Sequence, residues 1–304
     1  MIEFSTVTKI YKSLLGRSVT AVEEFSLQVP EGEILGIAGP NGAGKSTLIS
    51  LLLGYLEPTS GLVRINGVRP RSYIERHGIG YLSELISINP SWKTQDAVTR
   101  FATLAGIPGA DTPRRVDEVL DQLGIEEHRL KKIKALSKGN LQRLGLAQAL
   151  LRDEKVVILD EPTHGLDPVW TQRFRGIVEN LRKPDKTVII ASHNLDELQR
   201  LADRVVIVDR GRLQRVVSTG YDPASETGGV YRIRVANGAA LPPGMIEGAR
   251  DMGGGEFEVT FASVPELNSA LARMIADGVM VVSVVPARSV LEQQFREAVG
   301  VTSS

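Results

Sequence analysis

The segment GPNGAGKS, residues 39–46, places Gly39, Pro40, Asn41, Gly42, Ala43 and Gly44 ahead of Lys45 and Ser46. This is the spacing G-x-x-x-x-G-K-[ST] of a phosphate-binding loop. Glycines at 39, 42 and 44 let backbone N–H groups curl around phosphate oxygens. The helix expected to follow adds partial positive charge at its N-terminus. Lys45 is placed to reach the β- and γ-phosphates of a nucleotide, Ser46 to ligate Mg²⁺, and Thr47 to add a hydroxyl contact.

A second stretch, VVILDEP at 156–162, ends a β-branched run in two acids. Such a run carries its carboxylates to the C-terminal edge of a sheet, where ligands of open α/β sheets bind. Asp160 is expected to hold Mg²⁺ and Glu161 to take a proton from an attacking water. In IIASHN, 189–194, a further strand ends in His193, at the same expected edge. A second turn of phosphate-binding character lies at 134–148, KALSKGNLQRLGLAQ. There Ser137 caps, Gly139 permits close backbone approach, and an apolar-striped helix is expected to follow.

These side chains need a framework. EILGIAG (33–39), KVVILDE (155–161) and TVIIAS (187–192) read as buried strands of a parallel sheet. KSTLISLLLGYL (45–56) and PVWTQRFRGIVENLRK (168–183) read as helices between them, and 204–217 as two strands around a turn at Gly211. Gly, Pro, Asp and Ser mark 219–229 as a linker. Beyond it, strands at 230–235, 255–262 and 279–286 surround a helix at 264–278, and a helix at 289–300 closes a small α+β module.

Composition narrows the partners. Lys+Arg and Asp+Glu both number 36 in 304 residues, so a nucleic-acid binder is not expected. The absence of cysteine removes thiolate metal sites and cysteine nucleophiles. The N-terminal MIEFSTVTKIY carries no apolar signal core, and no apolar run approaches the roughly 18 residues of a membrane span. Any membrane role is expected to go through a partner.

The phosphate loop, LSKGN (136–140), ILDEP (158–162), HGLD (164–167) and the strand-terminal His193 occur in an order that resembles ATP-binding cassette (ABC) ATPases. The resemblance covers residues 1 to about 218. It implies an α/β phosphate-loop ATPase domain at 1–218, with a mixed sheet core and a helical signature subdomain at about 85–152. The linker at 219–229 would then join it to a small accessory domain at 230–304. ATP and Mg²⁺ are the implied cofactors. The resemblance further implies that two copies pack head to tail, as a homodimer or a heterodimer with a second such subunit, so that Ser137, Lys138, Gly139 and Asn140 meet the ATP held by the other copy. Asp167 would then lie at the dimer contact, Tyr11 would stack on adenine, and His193 would touch the γ-phosphate. KSLLGRS (12–18) resembles a short insertion.

Two departures stand out. Lys138 and Asn140 replace the family's commoner glycine and glutamine. Glu84, ending IGYLSE (79–84), stands where a glutamine usually senses the metal and the γ-phosphate, and is expected in the Mg²⁺ site with Ser46 and Asp160. The implied function is the ATPase subunit of a transporter, of the drug, antibiotic and haem exporter type. It would act at the cytoplasmic face of the membrane through a membrane-spanning permease. LISINPSW (85–92) is divided between core packing and a dock for that permease. The alternative is a soluble ABC ATPase acting on nucleic acid or ribosomes. A GTPase or small-molecule kinase lacks any use for LSKGN.

Overall fold

The computed structural model describes residues 1–12, 18–219, 227–236, 246, 248–287 and 290–300. The chain divides after Thr219 into two compact units. The insertion expected at 12–18 and the linker expected at 219–229 fall largely outside the described residues.

In the first unit β1 (Ile2–Lys12), β2 (Ser18–Val29) and β4 (Ser60–Ile65) form an antiparallel sheet in the order β2-β1-β4. A second, six-stranded sheet has the order β5-β6-β7-β3-β8-β9. Its strands are β3 (Ile34–Ala38), β5 (Gly80–Leu82), β6 (Val156–Asp160), β7 (Thr187–Ala191), β8 (Arg204–Asp209) and β9 (Arg212–Ser218). All pair in parallel except β9, which returns antiparallel on β8 after the Arg210–Gly211 turn. Every residue of β3, β6 and β7 is buried, which is why these strands read as continuous apolar runs rather than alternating ones. One core joins the two sheets through α1 (Lys45–Leu52), whose Leu48, Ile49, Leu51 and Leu52 lie among Ile2, Phe25, Leu35 and Ile37. Phe4 meets Phe25 edge-to-face at 5.3 Å, worth about 1 kcal/mol beyond the area buried.

The helix expected over 45–56 stops earlier. Gly54 takes φ 64, and a Cβ there would lie 2.9 Å from the Arg71 backbone nitrogen. The chain therefore leaves the helix at Leu53 to meet α2 (Pro70–His77). Between β5 and β6 lie α3 (Thr94–Leu104), α4 (Thr112–Gln122) and α5 (Lys138–Leu150). The apolar stripe expected on α5 is a correction. Leu144, Gly145, Leu146, Ala147, Ala149 and Leu150 are all buried, so the helix is covered on more than one face. The sheet's remaining helices are α6 (Pro168–Leu181) and α7 (Leu195–Leu201).

The second unit is an antiparallel sheet in the order β11-β12-β10-β13, from β10 (Thr227–Val235), β11 (Arg250–Gly253), β12 (Glu256–Ser263) and β13 (Val281–Pro286). Ile233, Val235, Phe257, Val259 and Phe261 bury one face against Leu267, Ala270 and Met274 of α8 (Val264–Ala276). The last described helix is α9 (Val290–Val299). β11 was not expected. It is short, exposed along its length and leads into Gly254 and Gly255, a sequence that reads as loop.

Candidate active site

Register brings the chemistry to one edge. Ile37 of β3 and Asp160 of β6 both pair with Ala191 of β7, so the three strands end level with one another. Past these ends come the loop 39–46, Glu161, and Ser192 with His193. Two hydrogen bonds stitch the exits: the Glu161 N–H donates to the Ala191 carbonyl at 2.8 Å, and the Ser192 N–H to the Ile37 carbonyl at 3.1 Å.

The loop is closely backed. Gly39 packs so tightly that a Cβ would sit 2.4 Å from the Val208 carbonyl oxygen, and at Gly44, with φ 109, it would sit 2.6 Å from that of Ala21. No side chain caps α1. Its first-turn N–H groups have no intrahelical acceptor and face the loop. Lys45 is 8% exposed and donates to the carbonyls of Gly39 (2.7 Å) and Pro40 (3.3 Å), which holds its charge inside the loop. Asn41, Gly42 and Ser46 are exposed, and Ala43 is buried.

Asp160 is 5% exposed. Burial first, then the nearby charges of Glu84 and Glu161, push its carboxyl up to about 6, against the pull of Lys45. A buried carboxylate so placed favours a cation. Among the described residues no three His, Asp or Glu side chains are gathered to hold a metal unaided. That fits Mg²⁺, which is held by one or two carboxylates together with substrate phosphates. Glu84 is exposed, two residues beyond β5, yet its charge is felt at Asp160. Of the expected donors, Asp160 and Glu84 lie close enough for their charges to interact, and Ser46 is exposed in the loop.

Glu161 is 7% exposed and takes φ 47, a conformation costing a non-glycine residue about 1–2 kcal/mol. Hydrogen bonds at its carboxylate and at its carbonyl pin it. Its carboxylate accepts from the His193 N–H (3.0 Å) and Ser192 Oγ (3.2 Å), and meets His193 Nδ1 at 2.8 Å. Its carbonyl, with that of Pro162, accepts from the buried Gln142 amide of α5, each at 3.2 Å. The strain and the bonds that hold it mark a side chain fixed in place rather than one capping a turn. With Nδ1 on Glu161, His193 keeps Nε2 for an external partner, and its side chain is 61% exposed.

The second turn is built differently. Ser137 caps α5 with its own Oγ, accepting from the Asn140 N–H at 3.2 Å. Ser137 and Lys138 are exposed, while Gly139 and Asn140 are half-buried. Lys138 Nζ lies 2.6 Å from His164 Nε2. Asp167 caps α6 through Trp170 N–H and faces Arg143 at 3.6 Å. Arg143 in turn lies 4.1 Å over the Trp170 ring.

Tyr11 is exposed near the end of β1, opposite Val19, which lies two residues before the Ala21 whose carbonyl backs Gly44. The 85–92 segment divides: Ile86 fills the space over Gly145, Arg100 covers the Trp92 ring at 4.3 Å, and Leu85 is 84% exposed. Sequence reasoning missed Gln142, Ser192 and His164. None left a clear signal: Gln142 is one of several polar residues of α5, with Lys138, Asn140, Arg143 and Gln148.

A family model described as ABC transporter matches residues 22–164. The chain is 33% identical over 283 residues to the uncharacterized ABC transporter ATP-binding protein YdbJ of Bacillus subtilis, covering 91% of this chain and 90% of that one. Over 220 residues it is 36% identical to the methionine import ATP-binding protein MetN of Geobacillus kaustophilus, covering 70% and 64% of the two. Among solved structures, a dimeric, post-hydrolysis ATP-binding cassette, MJ0796 bound to ADP and Pi, is 25% identical with a TM-score of 0.66, covering 73% of this chain and 100% of that one.

Proposed function

The chain belongs to the ABC transporter ATP-binding proteins and is an ATPase that uses ATP with Mg²⁺, and from that premise we propose that it drives a separate membrane-spanning permease by ATP-dependent closure of a head-to-tail dimer. The observation that carries this reading is the pair of unlike phosphate-binding turns. The loop at 39–46 is backed by strands, flanked by Asp160 and Glu161, and opens an uncapped helix. The turn at 137–140 is exposed at Ser137 and Lys138 and has no acids of its own. In a head-to-tail pair each exposed turn closes over the other copy's loop, and two equivalent sites form about one twofold axis. The cassette structures similar to this chain are dimeric, which supports a two-copy assembly.

In this reading the loop N–H groups and Lys45 bind the β- and γ-phosphates, with Tyr11 against the adenine. Ser46, Asp160 and Glu84 hold Mg²⁺, which supplies charge neutralisation on the phosphates. Glu161, fixed by Ser192 and His193, accepts the proton of the attacking water. His193 turns Nε2 to the γ-phosphate. Ser137, Lys138, Gly139 and Asn140 meet the γ-phosphate of the other copy, with Asp167 near the contact. Leu85 and its neighbours form part of the permease dock; Leu85 is 84% exposed, while Ile86 beside it packs over Gly145. We assign the direction as export, on the small module after the ATPase unit. A relative named for methionine import shows that importers also occur among the similar proteins.

The test is Glu161→Gln. Glutamine keeps the shape but cannot take the proton, so hydrolysis is expected to fall by about 10²-fold or more while ATP binding survives. Size-exclusion with ATP and Mg²⁺ then shows a dimer. A monomer under saturating ATP overturns the closure reading. Hydrolysis at the parent rate removes Glu161 from its role. Purification of the native protein from membranes with a polypeptide of several spans tests the permease. An associated solute-binding protein would favour import over export.

A further inference from the structure

We propose that Lys138 and His164 form a latch through which nucleotide at one composite site is felt by the hydrolytic residues of the other, with His164 as a positioning residue. The proposal rests on the head-to-tail reading above. Lys138 is the exposed first residue of α5, and its ammonium lies 2.6 Å from His164 Nε2. Its methylenes run over Gly165, where a Cβ would come within 3.1 Å of Lys138 Cδ and Cε. The absence of a side chain at 165, with φ 78, opens this path. The His164 N–H donates to the Glu161 carbonyl at 3.1 Å. The His164 ring stands edge-on to His193 at 6.4 Å, and His193 Nδ1 meets Glu161 at 2.8 Å. A short chain of contacts thus runs from the turn that faces the other copy's ATP to the base of this copy's own site.

The link is built to break. An ammonium carries donors only, so His164 must accept through Nε2 and keep its proton on Nδ1. That is a cation bonded to a neutral ring. A triphosphate offers the same ammonium an anionic acceptor, which adds the attraction of opposite charges to a hydrogen bond that His164 offers only as a neutral acceptor. Because Lys138 is exposed, the transfer costs little desolvation. Buried Gln142 meanwhile keeps α5 joined to the Glu161 turn whether or not Lys138 moves. Arrival of ATP at the turn therefore removes one bond, at His164, and frees that ring beside His193.

The chain has four histidines, His77, His128, His164 and His193, so side-chain ¹⁵N spectra of the full chain are readily assigned. In the Glu161→Gln protein, His164 is expected as the Nδ1–H tautomer without nucleotide, and its Nε2 resonance is expected to move once ATP and Mg²⁺ form the dimer. In the parent chain the Hill coefficient for ATP hydrolysis is expected between one and two, and His164→Ala or Lys138→Met should lower it, leaving the part that dimer closure itself supplies. His164→Asn, which keeps an acceptor, should retain more of the cooperativity. The double variant should lose no more than either single change. Unchanged cooperativity in both single variants, an additive double variant, or an unmoved His164 resonance in a demonstrated dimer overturns the latch. Failure of the Glu161→Gln protein to dimerise overturns the head-to-tail reading instead, and the latch with it.

Discussion

Two helices of this protein begin with a lysine behind a glycine-bearing turn, and they differ in everything around it. Lys45 opens α1, is buried, and is held by carbonyls of its own loop. Lys138 opens α5, is exposed, and rests on the imidazole of His164. The first helix has no side-chain cap, and Gly39 and Gly44 of its loop are packed against backbone. The second is capped by Ser137, and a Cβ at Gly139 would meet only the Gly165 carbonyl, at 3.3 Å. The same local grammar thus yields a rigid cradle in one place and an open contact surface in the other. What separates them is the buried strand that feeds the cradle and the lack of one behind the surface.

The sharpest way to break this comparison is to remove the lysines in turn. Lys45→Ala takes away the cation nearest the phosphates and should weaken ATP binding by about 10²-fold or more, read by nucleotide titration. Lys138→Ala should change the affinity of the isolated chain far less. Equal losses would mean that both turns serve one nucleotide in one chain.

The glycines should separate next. Gly44→Ala must adopt φ 109 with its Cβ 2.6 Å from the Ala21 carbonyl, so a loss of several kcal/mol or failure to fold is expected in thermal melts. Gly139 is helical, and alanine there gains up to about 1 kcal/mol of helix propensity, so the melting temperature should hold or rise while hydrolysis falls. Similar destabilisation by both would erase the distinction between cradle and surface.

A third measurement uses acid. Asp160 has its carboxyl raised to about 6 from 3.8, chiefly by burial and then by Glu84 and Glu161. A folded-state value above the unfolded one means that the native metal-free chain binds the extra proton. This contribution should therefore weaken stability as pH rises from about 4 to about 6, and the penalty is complete above that range. Its size is about 3 kcal/mol at most, from roughly 1.4 kcal/mol for each unit. Asp160→Asn should raise the melting temperature of the metal-free protein at pH 7.5 while abolishing hydrolysis. An unchanged or lower melting temperature would show that Asp160 is not held in that environment.

The smallest effect belongs to Glu84→Gln. It removes a negative charge felt at Asp160, so the Mg²⁺ dependence of ATP affinity should weaken by a few fold. Equal dependence in the two proteins would leave Glu84 outside the metal site.

The sequence by itself determined the phosphate loop, because its chemistry depends on consecutive residues, Gly39 to Ser46, between a buried run and a helix. It also determined β3, β6 and β7, whose burial on both faces leaves unbroken apolar runs. It marked the second turn through Ser137 and Gly139, and the small domain through its change of composition. The sheet of β1, β2 and β4 escaped notice because bulges interrupt its pairing, as between Phe4 and Val7, and disturb the alternation that identifies half-buried strands. The sequence already placed Asp160, Glu161 and His193 at one sheet edge; only the tertiary structure decided the register that ends their strands level, that Gln142 holds the Glu161 turn from another helix, and that Lys138 reaches His164. The physical reason is the same in each case. These contacts join residues 19 or more positions apart, through strand register and helix packing, and no local period in a chain records where two distant segments will meet.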